Sequence, residues 1–258
     1  MKTSTALDGF YSGLLRVDRA EKHLDELREL IERVERENQY SVIPHPDHYA
    51  PDKPIFVSRG PIRVPPIGAV LIGEVCYNLR CALDYLIVSL TELDCGTKPE
   101  RTQFPIEDSG DKFRSWKKKI VAKGMNTKHA ALFHRLQPYD GCDWTGFLAQ
   151  FNNWDNHNDF VRIDARAIVD TDPPQGSGHT FVINAKHPVT KERMQVNTTV
   201  TIQILFDNGL PIVETLEKIK AGVTQTFADF KPEFEREKRG AQGPPASRRP
   251  VKRRLPDV

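Results

Sequence analysis

Four polar side chains stand inside an otherwise apolar run at residues 67–93, IGAVLIGEVCYNLRCALDYLIVSLTEL: Glu74, Asn78, Arg80 and Asp84. A polar group buried without a partner destabilises a fold, so such a run encodes either an internal hydrogen-bond network or a site. Arg80 and Asp84 are spaced i,i+4 and pair on one helical flank. Glu74, Asn78, Cys81 and Tyr85 line the adjoining face, opposite Leu79, Leu83, Leu86 and Leu90. In an open cleft Arg80 would stabilise phosphate charge and Asp84 would orient it. In a closed network Arg80 is held by Asp84 or Glu74, and no ligand is needed.

A second constellation is FNNWDNHNDF at 151–160. Its Asn and Asp residues suit helix caps and turns. His157 has Asp155 and Asp159 within two residues, and a carboxylate that orients one imidazole nitrogen leaves the other for proton transfer or a ligand. The residues that would carry catalysis are therefore Arg80, His157, Asp155 and Asp84. Those that would bind a ligand are Glu74, Asn78, Tyr85 and Asn153. No metal and no cofactor is expected. His45 and His48 lack a fixed third ligand, and Lys117, Lys118 and Lys119 beside Trp116 read as the wet face of a helix. His129 and His134 read as surface or boundary histidines. The sequence contains no GxGxxG, Walker A, HExxH or GxSxG motif.

These residues need elements to position them. The chain has 258 residues, 38% of them hydrophobic, with a formal net charge of +2. Residues 240–258 carry five basic side chains and one acid, so the remainder has a slight acidic excess. That balance does not suit a dedicated duplex binder. Cys76, Cys81, Cys95 and Cys142 read as reduced core thiols, and residues 1–8 lack a secretory pattern, so a cytoplasmic location is expected. Ionisable groups inside the 67–93 run argue against a membrane span.

Apolar residues at three- and four-residue intervals predict a helix over 14–38. Prolines 44, 46, 51 and 54 exclude a helix there, and PIFVS and PIRVP at 54–65, separated by Arg59-Gly60, suit an edge strand or a hairpin. Pro65 and Pro66 start the central helix. Further helices are expected at 111–122, 126–136 and 145–156, and strands at 160–169, 179–185 and 196–206. Without crossover helices those strands would pair antiparallel. A last helix over 210–230 closes the order. The expected class is α+β, a helical bundle with a small, predominantly antiparallel β-sheet, forming one domain over 1–230 with a flexible basic tail at 231–258.

The combination IGEVCYNLRCALDYL, RTQFPI, LQPYDG and FNNWDNHNDF resembles a broad group of uncharacterised bacterial and phage-associated proteins. That group has the pattern GE-x-x-x-NLR-x-ALDHL followed by FPI, LQPY and an asparagine-aspartate-histidine motif. A looser similarity is to the helical HEPN domains, some of which are metal-independent ribonucleases with an Arg-x4-6-His element. That resemblance implies a histidine five residues after Arg80, where this chain has Tyr85. An unperturbed tyrosine pKa near 10 suits a neutral-pH base poorly. The relatives also carry basic residues beside the motif histidine, where this chain has Asn156 and Asn158.

Three functions are thus expected to compete: a protein-interaction or structural accessory role, a nucleic-acid or nucleotide binding module, and an HEPN-like ribonuclease. The corresponding partners are a second copy in a homodimer, or RNA, a nucleotide or an acidic protein reached through the cleft or the basic tail. No membrane partner is expected.

Overall fold

Helix α2, Ile67–Cys95, is the axis of the molecule. In this computed structural model the described residues are 5–37, 41–50, 53–59, 62–156, 163–170, 179–186 and 193–241, with side chains described for 5–37, 62–152, 163, 165 and 203–236. Pro65 and Pro66 cannot donate, and their carbonyls accept from the Gly68 and Ala69 N–H groups at 2.9 and 3.1 Å, opening the first turn of α2. Gly96 ends it in a left-handed conformation at φ 75° with its N–H on the Glu92 carbonyl. Ile72, Leu79, Leu83, Leu86 and Leu90 are fully buried along its length.

Helix α1, Thr5–Glu37, lies antiparallel on α2, with His23 level with Glu74 and Gly9 against Ser89. Helix α3 is Gly110–Ala122, capped by Ser109, and α4 is Thr127–Leu132, capped by Asn126. Two 3-10 turns follow at Phe133–Leu136 and Pro138–Asp140, then α5 at Asp143–Asn156 and α6 at Ile212–Ala241. Aromatic rings join these helices: Phe10 meets Phe227 and Phe234, with ring centroids 5.2 and 4.4 Å apart, and Phe133 stacks on Phe230 at 5.0 Å. Each such buried ring contributes roughly 1.5–3 kcal/mol relative to exposure. Across the α1–α6 seam Arg28 donates to Glu217 at 2.6 Å, and Lys220 pairs with Glu21, which holds the Glu21 carboxyl below its ordinary value.

The α+β expectation is overturned. Of the residues whose side chains are described, 77% are helical, and the strand among them is a lone end, Ile204–Phe206, inserted between helices. Phe206 stacks on Phe151 of α5 at 4.0 Å. Backbone pairing also occurs in the remaining segments. Strands β1 (Ser41–Ala50) and β2 (Lys53–Arg59) form an antiparallel ribbon, and β5 (Arg193–Phe206) runs between β3 (Ile163–Asp170) and β4 (His179–Lys186) with antiparallel register. The described side chains of these strands that reach the helices are Ile163, Ala165 and those of the β5 end, Ile204–Phe206. The apolar surface of α2 is covered by other helices, so the class is a helical bundle.

Other boundaries shift too. Lys53–Arg59 is a strand, but it pairs with Ser41–Ala50 and not with residues 62–65, and Ser41–Ala50 pairs despite Pro44 and Pro46, with an irregularity between Pro44 and Tyr49. Helix α6 continues past Phe230 through Pro232 to Ala241 and buries Phe234, so residues 231–241 extend the bundle. The tail beyond Ala241 and His157 lie outside the described residues. Among the described residues, no helix is long and apolar enough to cross a membrane.

Candidate functional site

The polar residues of α2 separate into two networks on opposite edges of the helix. On one edge Arg80 Nη2 donates to the Phe104 carbonyl at 2.7 Å, and the Phe104 N–H donates to Asp84 Oδ1 at 2.7 Å. The guanidinium and carboxylate lie 3.5 Å apart, with side chains 18% and 28% exposed. One i,i+4 pair thus satisfies both backbone groups of a single residue in the extended segment after α2. Burial pushes the Asp84 carboxyl above its ordinary pKa, against the lowering effects of Arg80 and the Phe104 N–H.

Gln137 completes this edge. Fully buried, it donates through Nε2 to the Pro105 and Phe133 carbonyls at 3.1 and 2.9 Å, and accepts the Glu107 N–H at 2.8 Å. The NLR-x-ALD, FPI and LQPY elements, separate in sequence, therefore form one network whose product is a fixed path for residues 104–107.

On the other edge Glu74 and Asn78 face α1. Asn78 donates to the Glu74 carbonyl at 2.8 Å and accepts from Arg16 Nη1 at 3.1 Å. Buried His23 has Glu26 at 3.3 Å and Glu74 at 3.9 Å. Glu74 and Asn78 therefore tie α1 to α2 and do not join the Arg80 cluster. Tyr85 is 38% exposed and carries no contact to Arg80 among the described hydrogen bonds.

The Arg80 edge forms the wall of an open cleft of about 940 Å³. Tyr77 and Cys81 continue the α2 wall, Trp116 and Lys119 of α3 form the facing side, and Asn152 of α5 closes one end. Arg101 sits at the rim with an unusual positive φ of 47°. Its turn is held by Lys123, whose Nζ donates to the Glu100 and Arg101 carbonyls at 2.8 and 3.0 Å. A non-glycine residue in this region is retained only where its surroundings enforce it. The cleft has four cationic side chains, Arg80, Arg101, Lys119 and Lys123, against the carboxylates of Asp84 and Glu107. Arg101, Lys119 and Lys123 could have been foreseen only as surface charge, since nothing in their spacing marks a common rim.

Of the residues expected to act together, Arg80 and Asp84 meet, whereas Glu74 and Asn78 are elsewhere. Asn153 and Asp155 lie in the last turn of α5, one and three residues after the cleft-lining Asn152, but their side chains and His157 are outside those described. The HEPN-like and nucleic-acid characters are unsupported. Arg80 is held on a backbone carbonyl, where a phosphate-binding arginine would have to be available to substrate. Among the described residues no group of three or more His, Cys, Asp or Glu side chains is placed to hold a metal ion. Cys76 is buried, but Cys95 is exposed, contrary to a set of core thiols. No protein-family model, curated protein or solved structure matches the chain.

Proposed function

We propose that this protein is a non-catalytic accessory protein that holds an acidic segment of a partner protein in the cleft between α2, residues 101–107 and α3. The observation that carries this reading is the commitment of both ionic groups in the wall, Arg80 and Asp84, to the backbone of Phe104. That commitment gives the cleft a rigid wall and withdraws the pair from acid-base chemistry. What remains for a ligand is a cationic rim, with Arg101 and Lys119 exposed and outside any ion pair among the described residues, beside the aromatic surfaces of Tyr77 and Trp116. Carboxylates answer the rim and apolar side chains answer the aromatic walls, a combination found in short acidic peptide segments.

The test uses a fluorescein-labelled, N-acetylated hexaglutamate peptide, followed by anisotropy. Wild-type protein is expected to bind it with a salt-sensitive, micromolar-range affinity. The Arg101→Glu/Lys119→Glu variant should lose about tenfold or more with an unchanged melting temperature, because both side chains are exposed. Absence of binding at millimolar protein, or equal binding by the variant, overturns the reading.

A further inference from the structure

We infer that α1 and α2 form the interface of an antiparallel homodimer whose two-fold axis passes beside Leu15. Seven large hydrophobic side chains are exposed among the described residues, and six of them lie on these two helices, including Tyr11, Leu15, Tyr77 and Tyr85. Leu15 is 67% exposed, although neighbouring α1 turns bury Phe10, Val17 and Leu24. It belongs to a continuous outer stripe, Asp8, Tyr11, Leu15, Asp18 and Lys22, all exposed. Asp8 and Lys22 lie one heptad either side of Leu15, a spacing that keeps side chains within about 20° of one direction.

Symmetry selects the occupant. If α1 packs antiparallel on a copy of itself about Leu15, Leu15 meets the partner's Leu15 and Asp8 meets the partner's Lys22, with the reciprocal pair on the other side. In the same register Tyr11 faces the partner's Arg19, an exposed cation suited to an aromatic face. Asp8, Arg19 and Lys22 have no ion pair within the chain among the described residues. The stripe is thus complementary in charge to its own reverse, a property that a surface for an unrelated partner does not require.

Helix α2 supports the same axis independently. Gly9 against Ser89 and His23 beside Glu74 fix the antiparallel offset of the two helices, placing Leu15 level with residues 82–83. A two-fold axis lying in the interface and perpendicular to both helices also stacks α2 on its copy. Centred near Cys81, it brings Tyr77, 50% exposed, opposite the partner's Tyr85, which matches an exposed tyrosine of 38%. One axis accounts for Tyr11 and Leu15 of α1 and for Tyr77 and Tyr85 of α2. Because Tyr77 and Cys81 also line the cleft, the partner's Tyr85 would border its mouth.

Sedimentation equilibrium of the full chain, from about 1 to 100 μM, tests this without any added ligand. The wild type should approach twice its 29.4 kDa chain mass. Leu15→Glu should be monomeric throughout while keeping the wild-type helical circular-dichroism spectrum, because that side chain is 67% exposed and outside the core. Lys22→Asp should weaken association by about tenfold, and Asp8→Lys/Lys22→Asp should recover most of that loss by reversing the same pair. A monomeric wild type, a Leu15→Glu protein that dimerises as tightly, or a charge swap no better than the single variant overturns the interface. None of these outcomes depends on hexaglutamate binding, so failure of the dimer is distinguishable from failure of the cleft.

Discussion

The two edges of α2 carry similar polar residues and use them differently. At the Arg80 edge, side chains reach backbone groups of Phe104 at 2.7 Å, and Gln137 reaches those of the next residues. At the Glu74 edge, the contacts to α1 are between side chains and longer, at 3.1 to 3.9 Å, and Glu74 remains about half exposed. A side chain that satisfies a backbone group fixes the path of the chain itself, whereas a side-chain pair joins two helices that already pack through apolar surface. The first edge therefore shapes the cleft, and the second adjusts a seam that Leu24, Leu27, Ile72 and Leu79 hold closed.

Removing one member from each edge breaks the comparison most directly. Arg80→Ala leaves the Phe104 carbonyl without its donor and Asp84 without its counter-charge in a largely desolvated place. The expected loss is about 3 kcal/mol in urea-unfolding stability, with hydrogen exchange accelerated at residues 104–107. Asn78→Ala removes its bond from Arg16 and the one to the Glu74 carbonyl, and should lower stability by about 1 kcal/mol without altering exchange at 104–107. Similar losses and similar exchange patterns in the two variants would mean that the edges do not differ in kind.

The sequence carried the apolar side of α2 and the signals that start and stop it, since Pro65, Pro66 and Gly96 act through local backbone geometry. It also showed that Arg80 and Asp84 could pair. What it lacked was their shared target, because a carbonyl or N–H of Phe104 has no distinguishing residue type. Helix α1 begins nine residues before its expected start and runs through Gly13. In the fold a Cβ there would lie 2.6 Å from the Phe227 ring, so this glycine permits close helix approach. The low apolar content after Phe230 read as a tail, yet α6 runs on through Pro232 and Phe234 re-enters the core. The strands from 163 onward were visible as branched, alternating runs, but alternation does not reveal whether paired strands form a core layer or an appended arm.

The smallest expected effect discriminates most finely between a structural latch and an ion pair kept for its charge. Asp84→Asn preserves an oxygen that accepts the Phe104 N–H while removing the ionisable group, so its stability should stay within about 1 kcal/mol of wild type. The pH dependence is more informative than that magnitude. Burial raises the Asp84 pKa more than Arg80 and the Phe104 N–H lower it. A carboxyl whose pKa is higher folded than unfolded binds its proton more tightly in the native state. Its contribution favours folding below the unfolded value of about 3.9 and is lost as pH rises through the folded value. The stability of wild type relative to Asp84→Asn should therefore fall as pH rises from about 3.5, measured by urea unfolding across the acid-to-neutral range. A difference that grows with pH would mean that Arg80 outweighs burial, and that the carboxylate is held charged, ready for a ligand, instead of serving chiefly to anchor Phe104.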